Sequence, residues 1–292
     1  MSEQRPKIYL NLSFPQLAAR YARLPADGVG LLRAEFLALS LGVHPKQLLA
    51  EGGAETFIRT FAEGVIEVAR QFWPRPVTYR ALDLKSNEYR GLRGGQQLEE
   101  PEENPALGLR GCRRYMDDPE LLRLQARAVR RAHEAGWTNV RLMLPFVRTV
   151  SEVLACREIL QQEGFFERGV PLWIMVEVPS VVFLIERFLP LVDGVSIGTN
   201  DLTQLILGVD RDNPRLIPLW DERDDAVMRA IAWVARACRE RALECCVCGD
   251  APSRRPELIP LLLQLGLTAL SVSPEAFERT LRIVREREPG SS

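Results

Sequence analysis

Short apolar segments alternate with longer amphipathic ones along almost the whole chain, and this alternation constrains the fold more than any other feature. The apolar segments have the length of β-strands, and strands that alternate with helices form parallel sheets. The predicted strands cover residues 8–12, 28–36, 77–83, 139–145, 173–178, 194–197, 244–248 and 269–273. The predicted helices cover residues 55–72, 119–136, 150–163, 202–208, 224–241 and 274–286.

Eight strand–helix units predict a (β/α)₈ TIM barrel, an α/β fold whose functional residues lie at the carboxyl ends of the strands. The chain has 292 residues, of which 46% are hydrophobic, and α/β barrels of this length form one domain. We therefore expect residues 1–292 to form a single barrel domain. The polar loop at 85–104 is too long for a simple connection, so we expect it to be functional.

Composition argues against several classes of function. A net charge of −1 does not suit nonspecific binding to nucleic acid or to a membrane surface. The sequence has no run of about 18 apolar residues, and residues 1–7 lack the apolar core of a signal peptide. We therefore expect a cytoplasmic protein. Cys245, Cys246 and Cys248 alternate along one strand, a spacing that favours reduced, buried thiols over a zinc site or disulfides.

Two predicted strand ends carry carboxylates. In the segment SIGTNDLTQ (196–204), an apolar strand ends in a turn, where Asn200 and Asp201 precede a helix. Upstream, the strand at 173–178 closes with Glu177 and a proline follows. Carboxylates at neighbouring strand ends of a barrel can share a hard divalent cation. Asp201 is also an acceptable helix cap and Asn200 an ordinary turn residue, whereas Glu177 is harder to explain structurally.

Arginines occur at the same predicted edge. Arg33 and Arg80 lie inside or at the end of apolar strands, where an unpaired charge is costly. Arg110 and Arg211 follow in loops, and the seventh strand ends at Cys248. Several arginines with two carboxylates suit a small polyanion held with Mg²⁺, because guanidinium groups grip phosphate and carboxylate in bidentate fashion. Taken singly, each arginine is better explained as a surface residue and the cysteine as core, and it is the position of Arg33 and Arg80 in apolar strands that favours a site.

These segments resemble a known family. The motifs GVGLLRAEF (28–36), EENPALGLR (102–110), SIGTNDLTQ (196–204) and Cys248-Gly249 are similar to the phosphoenolpyruvate (PEP)-binding barrel of the PEP-utilising enzymes. That family includes phosphoenolpyruvate synthase, pyruvate phosphate dikinase and Enzyme I of the sugar phosphotransferase system. The resemblance runs from about residue 8 to residue 283. The synthase is favoured by three further motifs, GVHP (42–45), LKSNEY (84–89) and LWDERDDAV (219–227).

The resemblance implies a role for each matching residue. The implied substrate-binding residues are Arg33, Arg80, Arg110, Asn200, Arg211 and Asp83, the last as the carboxylate that orients an arginine. Glu177 and Asp201 would bind Mg²⁺, with Mn²⁺ as the alternative. Cys248 would be the acid/base at the methyl or methylene carbon of the substrate, and Arg33 and Arg80 would stabilise the enolate. The implied activity is a phosphotransferase that interconverts pyruvate and PEP.

The chain departs from the family in one respect. The family passes its phosphoryl group through a phosphohistidine on a separate mobile domain, and this chain has only two histidines, His44 and His133. Neither lies in the Thr-Ser-His setting of the family, so we expect both to be structural or surface residues. A nucleotide-binding G-x-x-x-x-G-K-[ST] loop is also absent from the sequence. We therefore expect only the partial reaction, with a phosphohistidine domain in a longer chain or on another chain as partner.

Three functions remain open at the level of sequence. The first is the phosphotransferase barrel just described, for which the resemblance also implies a homodimer. The second is a module that senses PEP without turnover, although a pure sensor would not need the acid/base Cys248. The third is a Mg²⁺-dependent lyase or aldolase that acts on a 2-oxo acid, because the same metal site stabilises any enolate.

Overall fold

The computed structural model describes residues 5–287, in which eight parallel strands close into a barrel in the order of the sequence. The first strand pairs with the last, Lys7 opposite Ala269, so the sheet has no free edge. The predicted (β/α)₈ TIM barrel is confirmed. The strands are β1 Lys7–Leu12, β2 Gly28–Arg33, β3 Val77–Arg80, β4 Val140–Leu144, β5 Leu172–Val176, β6 Gly194–Ile197, β7 Glu244–Val247 and β8 Ala269–Val272.

Helices surround the barrel, and the structure has more of them than the sequence predicts. The α-helices are Ala18–Tyr21, Glu35–Leu41, Pro45–Ala50, Ala54–Phe72, Ser86–Arg90, Gly95–Leu98, Cys112–Asp117, Pro119–Glu134, Val150–Gln162, Pro179–Phe183, Ile185–Phe188, Thr199–Leu207, Asp225–Glu240, Ala251–Arg254, Leu258–Gln264 and Phe277–Arg285. Short 3₁₀ helices are Pro15–Leu17, Phe166–Arg168, Leu189–Leu191, Ile217–Leu219 and Pro274–Ala276. Within the described residues, no helix is long and apolar enough to cross a membrane.

The differences from the prediction lie at the carboxyl ends of the strands. The third strand was expected to reach residue 83 but ends at Arg80. The backbone N–H groups of Leu82 and Asp83 are bonded by side chains, Gln125 and Glu35, and not by a neighbouring strand. The loop predicted at 85–104 contains two of the short helices. These side-chain contacts come from distant parts of the sequence, which explains why local patterns did not show where the strand ends.

The sixth strand also leads into its helix earlier than predicted. The helix begins at Thr199, three residues before the expected start, with Gly198 as its N-cap. The N–H of Leu202 bonds to the carbonyl of Gly198 at 3.2 Å. Asp201 therefore lies in the first helical turn, where the helix dipole favours a negative charge.

The hydrophobic core has two layers, one between the sheet and the helices and one inside the barrel. The interior layer consists of Tyr9, Leu31, Met143, Trp173, Met175, Cys246, Cys248 and Ala269. All six cysteines are free and buried, as predicted for reduced thiols. Residues 1–4, part of the segment expected to lack a signal peptide, lie outside the described residues. Residues 288–292, the end of the expected domain, also lie outside them. The assignment of 1–292 to one domain stays a prediction.

Polar contacts close the amino-terminal end of the barrel. Glu244 accepts hydrogen bonds from Lys7 at 2.6 Å and from Tyr9 at 2.8 Å. Arg141 pairs with the same carboxylate at 3.3 Å and stacks on Trp173. These contacts join β1, β4 and β7 at the amino-terminal end of the barrel. In TIM barrels this end contributes to stability, whereas functional residues lie at the carboxyl-terminal end.

Candidate active site

A cavity of about 760 Å³ opens at the carboxyl ends of the strands. Every site residue predicted from the sequence lines it: Arg33, Arg80, Asp83, Arg110, Glu177, Asn200, Asp201, Arg211 and Cys248. These residues are spread over most of the sequence and come from strand ends or the loops that follow them. The topology brings them together because all eight strands point the same way.

Arg110 is held by two carboxylates. Its Nε and Nη2 atoms donate to the two oxygens of Asp83 at 3.0 and 2.5 Å, and Nη2 also reaches Asp201 at 3.3 Å. Burial alone would raise the pKa of Asp83, but the charge and hydrogen bonds of Arg110 lower it below its usual range. The ring of Phe146 packs against the guanidinium, 4.0 Å from centroid to carbon. The position of Arg110 is therefore fixed before any ligand binds.

Arg33 and Arg80 lie side by side at the ends of the neighbouring strands β2 and β3, where their Cα atoms are paired in register. Nη2 of Arg80 lies 3.1 Å from Glu35, and Nη1 donates a weak hydrogen bond to the sulfur of Met175 at 3.7 Å. The guanidinium of Arg33 has no ion pair or hydrogen bond within residues 5–287. The Nε atoms of both arginines are buried without an acceptor. Buried donors in this state favour an anionic ligand.

Asn200 and Arg211 lie on the opposite side of the cavity. Arg211 reaches Asp201 at 3.6 Å, and its backbone N–H donates to the side chain of Gln204 at 3.2 Å. The side-chain oxygen of Asn200 accepts a hydrogen bond from the backbone N–H of Asp250 at 3.0 Å. These contacts join the first turn of the helix Thr199–Leu207 to two segments, the loop that follows β7 and the loop that follows the helix itself.

Glu177 and Asp201 form the acidic part of the site. Burial raises the pKa of Glu177 to about 8, with further contributions from the charges of Asp201 and Asp83. One oxygen of Glu177 accepts the backbone N–H of Phe146 at 3.0 Å. Its other oxygen lies against Gly198, where an added Cβ would come within 2.6 Å of it. Glycine at this position therefore leaves the space that the carboxylate occupies.

The two carboxylates fit a divalent cation. Both are hard oxygen donors, and they repel each other in a buried setting, which a cation would relieve. No group of three or more His, Cys, Asp or Glu residues in the described part of the chain is arranged to hold a metal. A cation that takes one or two carboxylates and completes its coordination with substrate oxygens and water, as Mg²⁺ does, matches this donor set.

Cys248 lies directly after β7 at the bottom of the cavity. It is 2% exposed and belongs to the interior layer of the core, yet it also lines the cavity. Burial raises the pKa of its thiol to about 11, although the charges of Arg80 and Arg33 lower it. A protonated thiol beside several guanidinium groups is suited to give a proton to a substrate carbon.

Comparison with known proteins assigns the family. The family described as "PEP-utilising enzyme, PEP-binding domain" matches residues 1–288. The chain belongs to the PEP-utilising enzymes. The chain is 44% identical to the phosphoenolpyruvate synthase of Aeropyrum pernix over 97% of its own length and 35% of the relative. For the synthase of Pyrococcus furiosus the values are 41%, 96% and 34%, and for that of Pseudomonas aeruginosa 38%, 92% and 37%. The chain thus spans about a third of the length of these relatives.

A solved structure resembles the chain in fold alone. An HpcH/Hpal aldolase/citrate lyase family protein from Burkholderia cenocepacia aligns with a TM-score of 0.56 and 16% sequence identity. The alignment covers 97% of this chain and 93% of the other. It agrees with the TIM barrel seen in the sheet.

Residues that the sequence did not point to also contact the arginines of the site or the loop that carries Arg110. Glu35 bonds to Arg80, as described above. Phe146 stacks between two arginines, the second being Arg148 at 4.6 Å, and adopts a positive φ of 43° that non-glycine residues rarely use. Arg148 donates to the backbone carbonyls of Gly108 and Arg110. The only signal for these residues was their position just after β2 and β4, because their partners lie far away in sequence.

The two histidines lie away from the cavity. His44 is buried, caps the helix Pro45–Ala50 and lies 3.0 Å from Glu99. The ring of His133 lies 3.0 Å from the carbonyl of Val140, and burial lowers its pKa. Both are therefore structural, as expected from the sequence.

Proposed function

We propose that this chain interconverts pyruvate and PEP through an enolate and exchanges the phosphoryl group with a phosphohistidine on another domain or chain. The single observation that carries the proposal is the thiol of Cys248 on the wall of the cavity that also brings together Arg33, Arg80, Arg110, Arg211, Glu177 and Asp201. The relatives named phosphoenolpyruvate synthase support the same substrate. Because the chain spans about a third of those relatives, we propose the partial reaction for it.

The arginines would bind the substrate anion. Arg33 and Arg80 are paired neighbours on β2 and β3, and each presents a buried Nε–H group without an acceptor. We assign them to the carboxylate and the enolate or phosphate oxygens, with Arg110 at the next position around the barrel. Asn200 and Arg211 would complete the phosphate cradle. Donors placed where negative charge develops are usually the largest catalytic contribution, and removal of one costs about 2.7–4 kcal/mol.

Glu177 and Asp201 would hold the divalent cation, which we assign as Mg²⁺, with Mn²⁺ as the alternative. When bound, the cation would supply positive charge that balances the enolate and phosphoryl oxygens. Asp201 also contacts Arg110 and Arg211. This carboxylate would therefore keep the arginines at a fixed distance from the metal position.

Cys248 would move the proton. Towards PEP, its thiolate takes a proton from the methyl group of pyruvate, and the C–H electron pair forms the enolate. The enolate oxygen then attacks phosphorus of the phosphohistidine, so a P–O bond forms, the P–N bond breaks and the imidazole leaves. In the reverse direction the thiol of Cys248 returns the proton to the methylene carbon. Proton transfer by a positioned group contributes about 10²–10⁴-fold.

The remaining partners follow from the family and are part of the proposal. The phosphohistidine domain would lie in a longer chain or in a separate protein. Neither histidine of the described chain lines the cavity, so neither supplies that group. A homodimer and a cytoplasmic location stay predictions, for which sedimentation of the purified chain and localisation in its host are the direct tests.

Exchange of methyl protons tests the chemistry without a phosphoryl donor. The purified chain is incubated in D₂O with Mg²⁺ and [3-¹³C]pyruvate, and loss of the methyl proton signal is followed by NMR. We expect exchange in the wild type and none in Cys248→Ala. Cys246→Ala is the matched control, because Cys246 is equally buried two residues earlier but does not line the cavity.

The outcomes separate the three functions. Exchange that is lost in Cys248→Ala and retained in Cys246→Ala supports the enolising site. Tight binding of PEP with no exchange of pyruvate protons under any condition would instead show that the chain is a module that senses PEP. Condensation of pyruvate with an added aldehyde would identify a lyase or aldolase instead.

A further inference from the structure

Glu35 is the first residue of the helix that follows β2, and its side chain lines the same cavity as the arginines. Its Oε1 atom lies 3.1 Å from Nη2 of Arg80 and accepts the backbone N–H of Asp83 at 3.0 Å. Its Oε2 atom is buried and has no hydrogen-bond partner. The side chains of Glu35 and Arg80 are only 14% and 13% exposed.

A carboxylate at this position is unfavourable for the ligand. PEP is a multiply charged anion, and a negative charge in its cavity repels it. Glu35 is also one of the groups that hold the guanidinium of Arg80 in its charged form: burial alone would lower the pKa of Arg80, and Glu35 contributes most to raising it. A compensating benefit is therefore needed to explain a carboxylate in this cavity.

The contacts of Glu35 supply that benefit. Without Glu35, Nη2 of Arg80 would lose its only charged partner within the described residues. The remaining contact of that guanidinium, to the sulfur of Met175 at 3.7 Å, is weak. A long side chain with several rotamers would then have to be ordered by the ligand itself, which reduces affinity.

The same carboxylate also fixes a second arginine indirectly. The N–H of Ala81 still bonds to β4, but that of Asp83 is bonded to Glu35 where a strand neighbour would otherwise bond it. The side chain of Asp83 in turn holds Arg110 through two hydrogen bonds. Glu35 thus holds the backbone of Asp83 just beyond β3, and Asp83 in turn holds Arg110.

We propose that Glu35 is a positioning residue that fixes Arg80 directly, and Arg110 through the backbone of Asp83, in the geometry that binds the PEP anion. The inference rests on the proposed function, because it assumes that these arginines bind PEP. It predicts that removal of a negative charge from an anion site weakens anion binding. If Glu35 had no positioning role, neutralising its carboxylate would strengthen the binding of PEP, because a repulsive charge would be removed.

The sign of the change in affinity is the test. Binding of PEP in the presence of Mg²⁺ is measured by titration calorimetry on Glu35→Gln and on Glu88→Gln. Glu88 is the matched control, since it also lines the cavity and also accepts a backbone N–H, that of Lys85 at 2.7 Å, but pairs with no arginine within the described residues. We expect Glu35→Gln to raise the Kd about tenfold and Glu88→Gln to leave it unchanged or lower it.

Glu35→Asp is the second variant. It keeps the charge but withdraws the carboxylate by one methylene, so positioning predicts weaker binding and simple electrostatics predicts no change. In the Arg80→Ala background, Glu35→Gln should change the Kd less than it does in the wild type, because it acts partly through Arg80. Thermal melts of each variant show whether the fold is retained.

The outcomes distinguish the inference from the proposed function. Equal or tighter binding by both Glu35 variants, or an undiminished effect of Glu35→Gln in the Arg80→Ala background, overturns the positioning role. If the wild type exchanges pyruvate protons and the Glu35 variants bind PEP as it does, only the inference fails. If the wild type binds no PEP, the proposed function and the inference fail together.

Discussion

Replacement of Asp83 by asparagine tests how much the buried arginine–carboxylate pair contributes to the fold as well as to the site. Asp83 and Arg110 are joined by two hydrogen bonds of 3.0 and 2.5 Å, and their side chains are 0% and 4% exposed. The Asp83→Asn substitution would keep the shape of the side chain but remove its charge. Arg110 would then keep Asp201, at 3.3 Å, as its remaining acidic partner within the described residues, beside a hydrogen bond of 3.4 Å to the carbonyl of Ala106.

The expected loss follows from this geometry. Removal of one partner from a buried ion pair costs about 3–5 kcal/mol, because the other charge remains buried. Since Arg110 retains Asp201, we expect the lower end, about 3 kcal/mol. For a chain of this size, that loss lowers the melting temperature by about 6–12 °C.

Equilibrium unfolding in urea, followed by circular dichroism, measures the difference. Glu51→Gln is the control, because Glu51 and Arg93 form an equally bidentate pair at 2.5 and 2.6 Å. That pair is 40% and 59% exposed, so its loss should have no measurable effect on stability. The two variants therefore differ mainly in burial.

The pH dependence gives a second check. Arg110 lowers the pKa of Asp83 in the folded state against the effect of burial, so the stabilisation is present above the unfolded pKa of about 4 and is lost as pH falls. The difference in unfolding free energy between wild type and Asp83→Asn should therefore stay constant down to about pH 5 and narrow as the pH falls further. A loss below about 1 kcal/mol at pH 7, or a gap that does not depend on pH, would refute the reasoning.

Three further predictions concern the cavity. Arg80→Ala should weaken PEP binding by well over tenfold in calorimetry, and an unchanged Kd would remove Arg80 from the site. Because burial raises the pKa of Cys248 to about 11, exchange of pyruvate protons through its thiolate should rise about tenfold per pH unit between about pH 7 and 9; a rate independent of pH there would contradict this role. Gly249→Ala should abolish PEP binding, because a Cβ would overlap the hydroxyl of Thr199 and displace the turn that carries Asn200; full affinity would show that this turn can move.

The fold was largely predictable because its signals are local. Each strand is a short apolar segment, and each long helix carries a continuous apolar face, so the alternation identified a barrel. The helices Glu35–Leu41 and Leu258–Gln264 were missed. Such short helices are held by packing against the barrel, and their own sequence periodicity covers only one or two turns.

The composition of the site was predictable for a different reason. The sequence placed charged residues at strand ends, and the barrel topology brings all strand ends to one side. What the sequence did not show is how those residues pair. Arg110 was expected to bind ligand oxygens, and its donors are also engaged by Asp83 and Asp201. Glu35 was passed over because its partner, Arg80, is brought beside it only by the pairing of β2 with β3.

The pairing of arginines with carboxylates has a consequence for how such a cavity changes over evolution or in engineering. Arg80, Arg110 and Arg211 are each immobilised by an acidic side chain of the same protein. Their orientations are therefore adjustable by substitutions at the acidic side chains that hold them. Selectivity for anions of different length would therefore be adjusted at Glu35, with the guanidinium groups themselves and the buried Asp83–Arg110 pair left in place.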